Sequence, residues 1–238
     1  MLFRSALAIY LQIREKRSWI KRLGWVALGG LFAQALLGGL TVKLNLPLAV
    51  SAAHATLAQL FFLTTVSLAI FTSRSWAMPT FGGGRDEQGV SLRSLGVVAL
   101  IAILTQLVLG AMLRHSATWD QPLPTGLLFA HVGGAIAVTV ILGTTISATL
   151  LRFRHERYLT RPALIAAALL LIQLSLGLAA YITRAASPSD PQPLNPMIAV
   201  TVAHVACGAL VFAATIVLTL RVFRVLRLER QAYVLAPA

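Results

Sequence analysis

Six stretches of this chain carry no Asp, Glu, Lys or Arg and are each long enough to cross a lipid bilayer: residues 23–42, 44–73, 94–113, 121–151, 162–183 and 191–220. A bilayer core needs about 20 consecutive apolar residues of helix. Leu, Ala, Val and Ile run all round these stretches without a period of two, which favours helices over the alternating strands of a barrel. The expected fold is an all-α integral membrane protein with six transmembrane helices.

The formal net charge of +13 raises the question of a nucleic-acid partner, and the positions of the charges answer it. Seventeen of the 20 basic residues precede the first stretch, follow the second or fourth, or follow the sixth; only Lys43, Arg114 and Arg184 lie at the opposite ends. By the positive-inside rule the expectation is a multi-pass protein of the cytoplasmic membrane with both termini cytoplasmic, in contact with lipid and not with nucleic acid. One cysteine, Cys207, excludes an internal disulfide, and packing is the plainer reading of it. The opening "MLFRSALAIYL" is short and interrupted by Arg4, so it does not read as a cleavable leader.

The chain repeats itself. "QALLGGLTVK" from Gln34, "QLVLGAMLRH" from Gln106 and "QLSLGLAAYITR" from Gln173 share Gln-x-x-Leu-Gly followed by a basic residue. Each is followed by a proline-bearing loop and a returning stretch with Ala-His near its start: "AAHATLA", "FAHVGGA" and "VAHVACGA". The glutamines recur after 72 and 67 residues and the histidines after 77 and 73, so the chain reads as three copies of one helical hairpin. With the returning helices starting near Leu48, Thr125 and Met197, His54, His131 and His204 all fall about 10 Å along their helices, at one depth.

An imidazole within a membrane needs a partner for its donor and its acceptor. An interhelical hydrogen bond is the plainer reading for one such histidine, and three in repeated contexts favour metal ligation. Zinc usually takes cysteine or carboxylate beside histidine, and no acidic residue lies in any of the six stretches. Haem needs only one or two axial imidazoles, and "AHVGGA" and "AHVACGA" leave room for a flat macrocycle. Arg114 and Arg184 then stand where propionates would emerge, with interfacial snorkelling as the plainer reading of Lys43. A proton-relaying transporter is disfavoured by the missing carboxylates. His155, in "RFRHERY", reads as part of a solvated basic loop, and His115 as an outer-loop residue outside the plane of the other three.

These runs, together with "LGAMLRHSATWD" and "GLAAYITRAASPSDPQPLNPMIAVTVAHVACGAL", resemble the bacterial heme A synthase family over essentially the whole chain. The resemblance implies a membrane oxidoreductase that converts a methyl group of heme O to the formyl of heme A for terminal oxidases. It also implies part of an eight-helix fold made of two four-helix bundles. Carried over by position, His131 and His204 resemble the pair that holds a b-type haem, and His54 resembles a substrate-side, catalytic histidine and iron ligand. Heme O is the implied substrate, with heme O synthase and electron-transfer proteins as implied partners. The resemblance divides the chain into a basic segment, 1–22, that looks like the inner tail of a helix; a first hairpin, 23–92, from the substrate half; and a four-helix haem-binding half, 93–238.

By the same resemblance a first hairpin bearing a glutamate and a second substrate-side histidine is absent, as is an outer-loop cysteine pair, and Val132 stands where members often carry arginine. Two explanations are open, a truncated sequence, which is favoured, or a natural shortened member. As given the chain is expected to bind haem and make little heme A, and with the hairpin restored to make it. The alternative is a non-catalytic bis-histidine haem or electron-transfer protein.

Overall fold

The computed structural model describes residues 2–77, 90–116, 124–186 and 195–235, with side chains for 6–77, 90–116, 124–186 and 195–227. The protein is all-α, with no strand among the described residues. Its helices are α1 (Leu2–Arg14), α2 (Ser18–Lys43), α3 (Leu48–Phe71), α4 (Arg74–Ala77), α5 (Leu92–Ser116), α6 (Thr125–Arg152), α7 (Arg157–Ala185) and α8 (Asn195–Leu235). Six of them, α2, α3 and α5 to α8, are long and apolar enough to cross a membrane. The shortest, α3, has 24 residues and so spans about 36 Å at 1.5 Å per residue. The described residues form two compact units, one made of α1 to α4 and the other of α5 to α8.

In the second unit the helices form a ring in which α5 packs on α6, α6 on α7, α7 on α8 and α8 back on α5. That leaves α6 and α8 facing each other diagonally. The buried core lies in one half of this ring, between Leu92 and Ile103 on α5, Val138 and Thr149 on α6, Leu159 and Leu170 on α7, and Cys207 and Leu226 on α8.

Each helix that opens a hairpin buries the same positions. Leu92, Gly96 and Ala99 of α5 correspond to Leu159, Ala163 and Ala166 of α7 and to Ile20, Gly24 and Ala27 of α2. Small residues at the two later positions let a neighbouring backbone approach, which is how helices pack where lipid is as apolar as leucine. A Cβ on Gly96 would stand 2.8 Å from Oγ1 of Thr219 in α8. The corresponding atom on Gly24 would stand 3.0 Å from Leu11 of α1. So α1 lies against α2 as the far half of α8 lies against α5.

Arginines tie the helix ends. Pro162, inside α7, has no N–H to give the carbonyl of Tyr158 one turn earlier. Nη1 of Arg221 donates to that oxygen at 2.9 Å, and the guanidinium lies 4.5 Å from the centre of the Tyr158 ring. In the first unit Nη1 of Arg17 donates to the carbonyl of Phe71, the last residue of α3. The same guanidinium is held by the carboxylate of Glu15, which accepts from Nε at 2.9 Å and Nη2 at 2.8 Å. That pairing holds the Glu15 carboxyl down at about 2, against an ordinary value of 4.5, and raises Arg17 above its own.

The link from α2 to α3 is four residues long, and it fixes where His54 meets α2. Asn45 and Leu46 both have left-handed backbone, with φ of 58° and 62°. This conformation is tolerable for asparagine and costs a leucine about 1 kcal/mol. The amide of Leu46 donates back to Thr41 at 2.8 Å, and Pro47 then starts α3.

Candidate functional site

His54 is the seventh residue of α3, His131 the seventh of α6 and His204 the tenth of α8. Each meets the glycine of the Gln-x-x-Leu-Gly motif on the helix before it. A Cβ on Gly38, Gly110 or Gly177 would stand 3.0 Å from Cε1 of His54, His131 or His204 respectively. Gln and Gly are four residues apart, so they lie one turn apart on one helix face, and the returning imidazole seats against that face. The matched depths expected from the repeat are thus matched seats within the hairpins.

The glutamine one turn below each glycine reaches the same histidine in the second unit. Nε2 of Gln106 donates to the backbone carbonyl of His131 at 2.8 Å and lies 3.0 Å from its Nδ1. Nε2 of Gln173 lies 3.3 Å from Nε2 of His204. Glycines on the returning helices make room for these carboxamides. Oε1 of Gln106 lies directly against Gly134, and Nε2 of Gln173 is 3.2 Å from where a Cβ on Gly208 would stand. In the first hairpin the equivalent positions on α3 are Leu57 and Ala58, and Oε1 of Gln34 and Nδ1 of His54 are both buried without a hydrogen-bond partner.

Across the ring, the His131 and His204 rings come together from α6 and α8. Their centroids are 6.4 Å apart with an interplanar angle of 76°. A metal–imidazole bond of about 2 Å, plus about 1 Å from that nitrogen to the ring centre, puts two trans ligands of one metal roughly 6 Å apart. Among the described residues no three His, Cys, Asp or Glu side chains gather as a metal site. A haem takes one or two imidazoles from the protein, and the 6.4 Å spacing of this pair is compatible with both binding one iron. Nδ1 of His204 and Oε1 of Gln106 and Gln173 are buried with no partner, which are the polar atoms that ligation would employ. The buried core of the unit lies to one side of the histidines, from Val138 onward on α6 and from Cys207 onward on α8.

Arg184 is half-buried in the last turn of α7, and Arg114 is exposed in the last turn of α5. Both lie on the histidine side of the ring, since each follows its motif glycine by four or seven residues. Lys43 ends α2 and is exposed. His115, expected in a loop, belongs to the last turn of α5, because that helix runs on to Ser116. His155 is exposed between α6 and α7, where it accepts a hydrogen bond from Nε of Arg154 at 2.8 Å. Cys207 is buried, with its thiol 3.5 Å from the carbonyl of Leu169. The segments around Trp119, Ser187 and Arg85 lie outside the described residues.

Comparison with protein-family models, with curated proteins and with solved structures returns no match. The functional reading therefore stands on this geometry and on the sequence.

Sequence reasoning used the motif glutamines and glycines as landmarks and missed what they touch. The signal was available: Gln and Gly at i and i+4 share a face, and a histidine recurs at a fixed distance behind them.

Proposed function

We propose that the second unit binds one b-type haem between His131 and His204, and that the chain is a heme A synthase-like oxidoreductase acting on heme O in a bacterial cytoplasmic membrane, with both termini cytoplasmic. The observation that carries the haem reading is the 6.4 Å approach of two imidazoles from diagonally opposed helices. The oxidoreductase reading rests on the family resemblance of the repeated motifs.

In this reading His131 and His204 would hold the haem iron, and Gly110 and Gly177 give each ring its seat. Arg114 and Arg184, at the ends of α5 and α7, pair the carboxylates of the bound macrocycle. Val138 and Val211, each seven residues past its histidine, are buried and would border the bound macrocycle on the core side. Bound haem supplies the one-electron chemistry of its iron, and the protein supplies orientation and a dry site. His54, seated on Gly38 in the first unit, is the residue assigned to the substrate haem.

A second reading, a non-catalytic haem or electron-transfer protein, draws on one observation. The second unit holds a histidine pair, whereas His54 is the sole histidine among residues 1–77.

Extraction and chromatography of haems from cells supplied with heme O separates the two. The enzyme reading expects a small amount of heme A that disappears in His54→Ala. Bound b-type haem with no heme A would leave the electron-transfer reading, and purified protein without haem would refute both.

A further inference from the structure

Three glutamines recur at one register, and two of them touch the histidines that face each other across the ring. An imidazole nitrogen binds a metal only through a lone pair, so the ring proton must sit on the other nitrogen, which then needs an acceptor. What lies against that other nitrogen decides the tautomer and how much negative charge the ring lends the metal.

Resting on the haem reading above, we propose that Gln106 and Gln173 are positioning residues: each carboxamide takes one ring nitrogen of its histidine and leaves the other for iron. Nε2 of Gln106 lies 3.0 Å from Nδ1 of His131 and 3.4 Å from its Nε2, so Nδ1 is the nearer nitrogen and Nε2 the one assigned to iron. Gln173 lies 3.3 Å from Nε2 of His204, which leaves the buried and unpartnered Nδ1. A carboxamide is both donor and acceptor. In the structure its N–H side faces each imidazole, while Oε1 of both glutamines is buried without a partner. Half a turn about the terminal bond presents that oxygen to the ring N–H. Among the described residues no such bond opposes the turn at Gln173. At Gln106 the carboxamide must also move off the His131 carbonyl, which now accepts from Nε2 at 2.8 Å and cannot accept from Oε1.

Gly134 and Gly208 are the second observation. Both glycines lie one turn past the histidine, and both clear the space the carboxamide fills. The first hairpin has Leu57 and Ala58 there, so the complete Gln–His–Gly arrangement belongs to the two histidines that approach each other.

The test is a redox titration and haem-retention assay on haem-loaded full-length protein. Gln106→Leu and Gln173→Leu remove the acceptor: the midpoint potential should rise and haem affinity should fall about 10- to 100-fold. Gln106→Glu and Gln173→Glu are nearly isosteric and supply a stronger acceptor, so the potential should fall below that of the wild type. Should the leucine variants fail to fold, the glutamate variants carry the test alone. Potentials unchanged in the glutamate variants, or shifted upward in both series, would overturn the assignment while leaving the haem reading intact. A wild-type protein that retains no haem would instead overturn the reading on which it rests.

Discussion

Adding one methyl group to Gly110 or Gly177 should damage the histidine site out of proportion to its size. On either glycine the new Cβ would stand 3.0 Å from Cε1 of the seated imidazole and 3.5 Å from its Nδ1. Ordinary contacts begin near 3.4 Å, so the ring must retreat by a few tenths of an ångström. In an unhindered helix Gly→Ala stabilises by about 0.5–1 kcal/mol. Overpacking a fitted site costs about 1–3 kcal/mol, so the sum is a net loss of about 1 kcal/mol. Gly133 and Gly143 are the controls, since a Cβ on either meets nothing within 4 Å. Thermal unfolding in detergent, with the haem spectrum recorded alongside, compares the four alanine variants. Gly110→Ala and Gly177→Ala should melt below the wild type and bind haem less well, whereas Gly133→Ala and Gly143→Ala should not. If all four behave alike, the glycines are not imidazole seats.

Arg221→Leu should cost about 1–3 kcal/mol, because it leaves the Tyr158 carbonyl that Pro162 cannot serve without a donor. Pro162→Ala in the same background should recover part of that loss in a double-mutant unfolding cycle. Ala99→Leu and Ala166→Leu, at matching buried positions of α5 and α7, should each destabilise the second unit by about 1–3 kcal/mol or more on thermal melting. The Glu15 carboxyl has a folded-state value lowered to about 2, so its contribution is complete above about 4.5 and is lost as pH falls from there towards 2. Hydrogen exchange in α1 should therefore accelerate over that window, and Glu15→Gln should remove the pH dependence. Reporter fusions after Arg85 and Arg157 should read cytoplasmic, and fusions after Lys43, Trp119 and Ser187 external; a cytoplasmic reading at Trp119 would break the hairpin scheme.

The six spans were legible because charge is excluded from them so strictly, and the helix starts at Leu48 and Thr125 follow from the prolines just before them. The returning histidines were legible as a set because the repeat carries them at nearly constant intervals. Which histidines meet was not legible from spacing alone. The approach of His131 to His204 follows from the closure of α5 on α8, a contact between residues more than 100 apart in sequence. The shared buried stripe of Leu92, Gly96 and Ala99 was overlooked because glycine and alanine are commonplace in apolar sequence and stand out only once their burial is known. The helix at residues 2–14 is too short to count as a span, and its docking on Gly24 through Leu11 depends on tertiary packing.

The most direct measurement is the low-temperature electron paramagnetic resonance and optical spectrum of purified, haem-loaded protein in four forms: wild type, His131→Ala, His204→Ala and His155→Ala. The 6.4 Å approach of the two rings predicts a low-spin bis-imidazole signal in the wild type. That signal should be lost or converted to high spin in His131→Ala and in His204→Ala, and be unchanged in His155→Ala. An unaltered six-coordinate low-spin spectrum in both His131→Ala and His204→Ala would contradict the account.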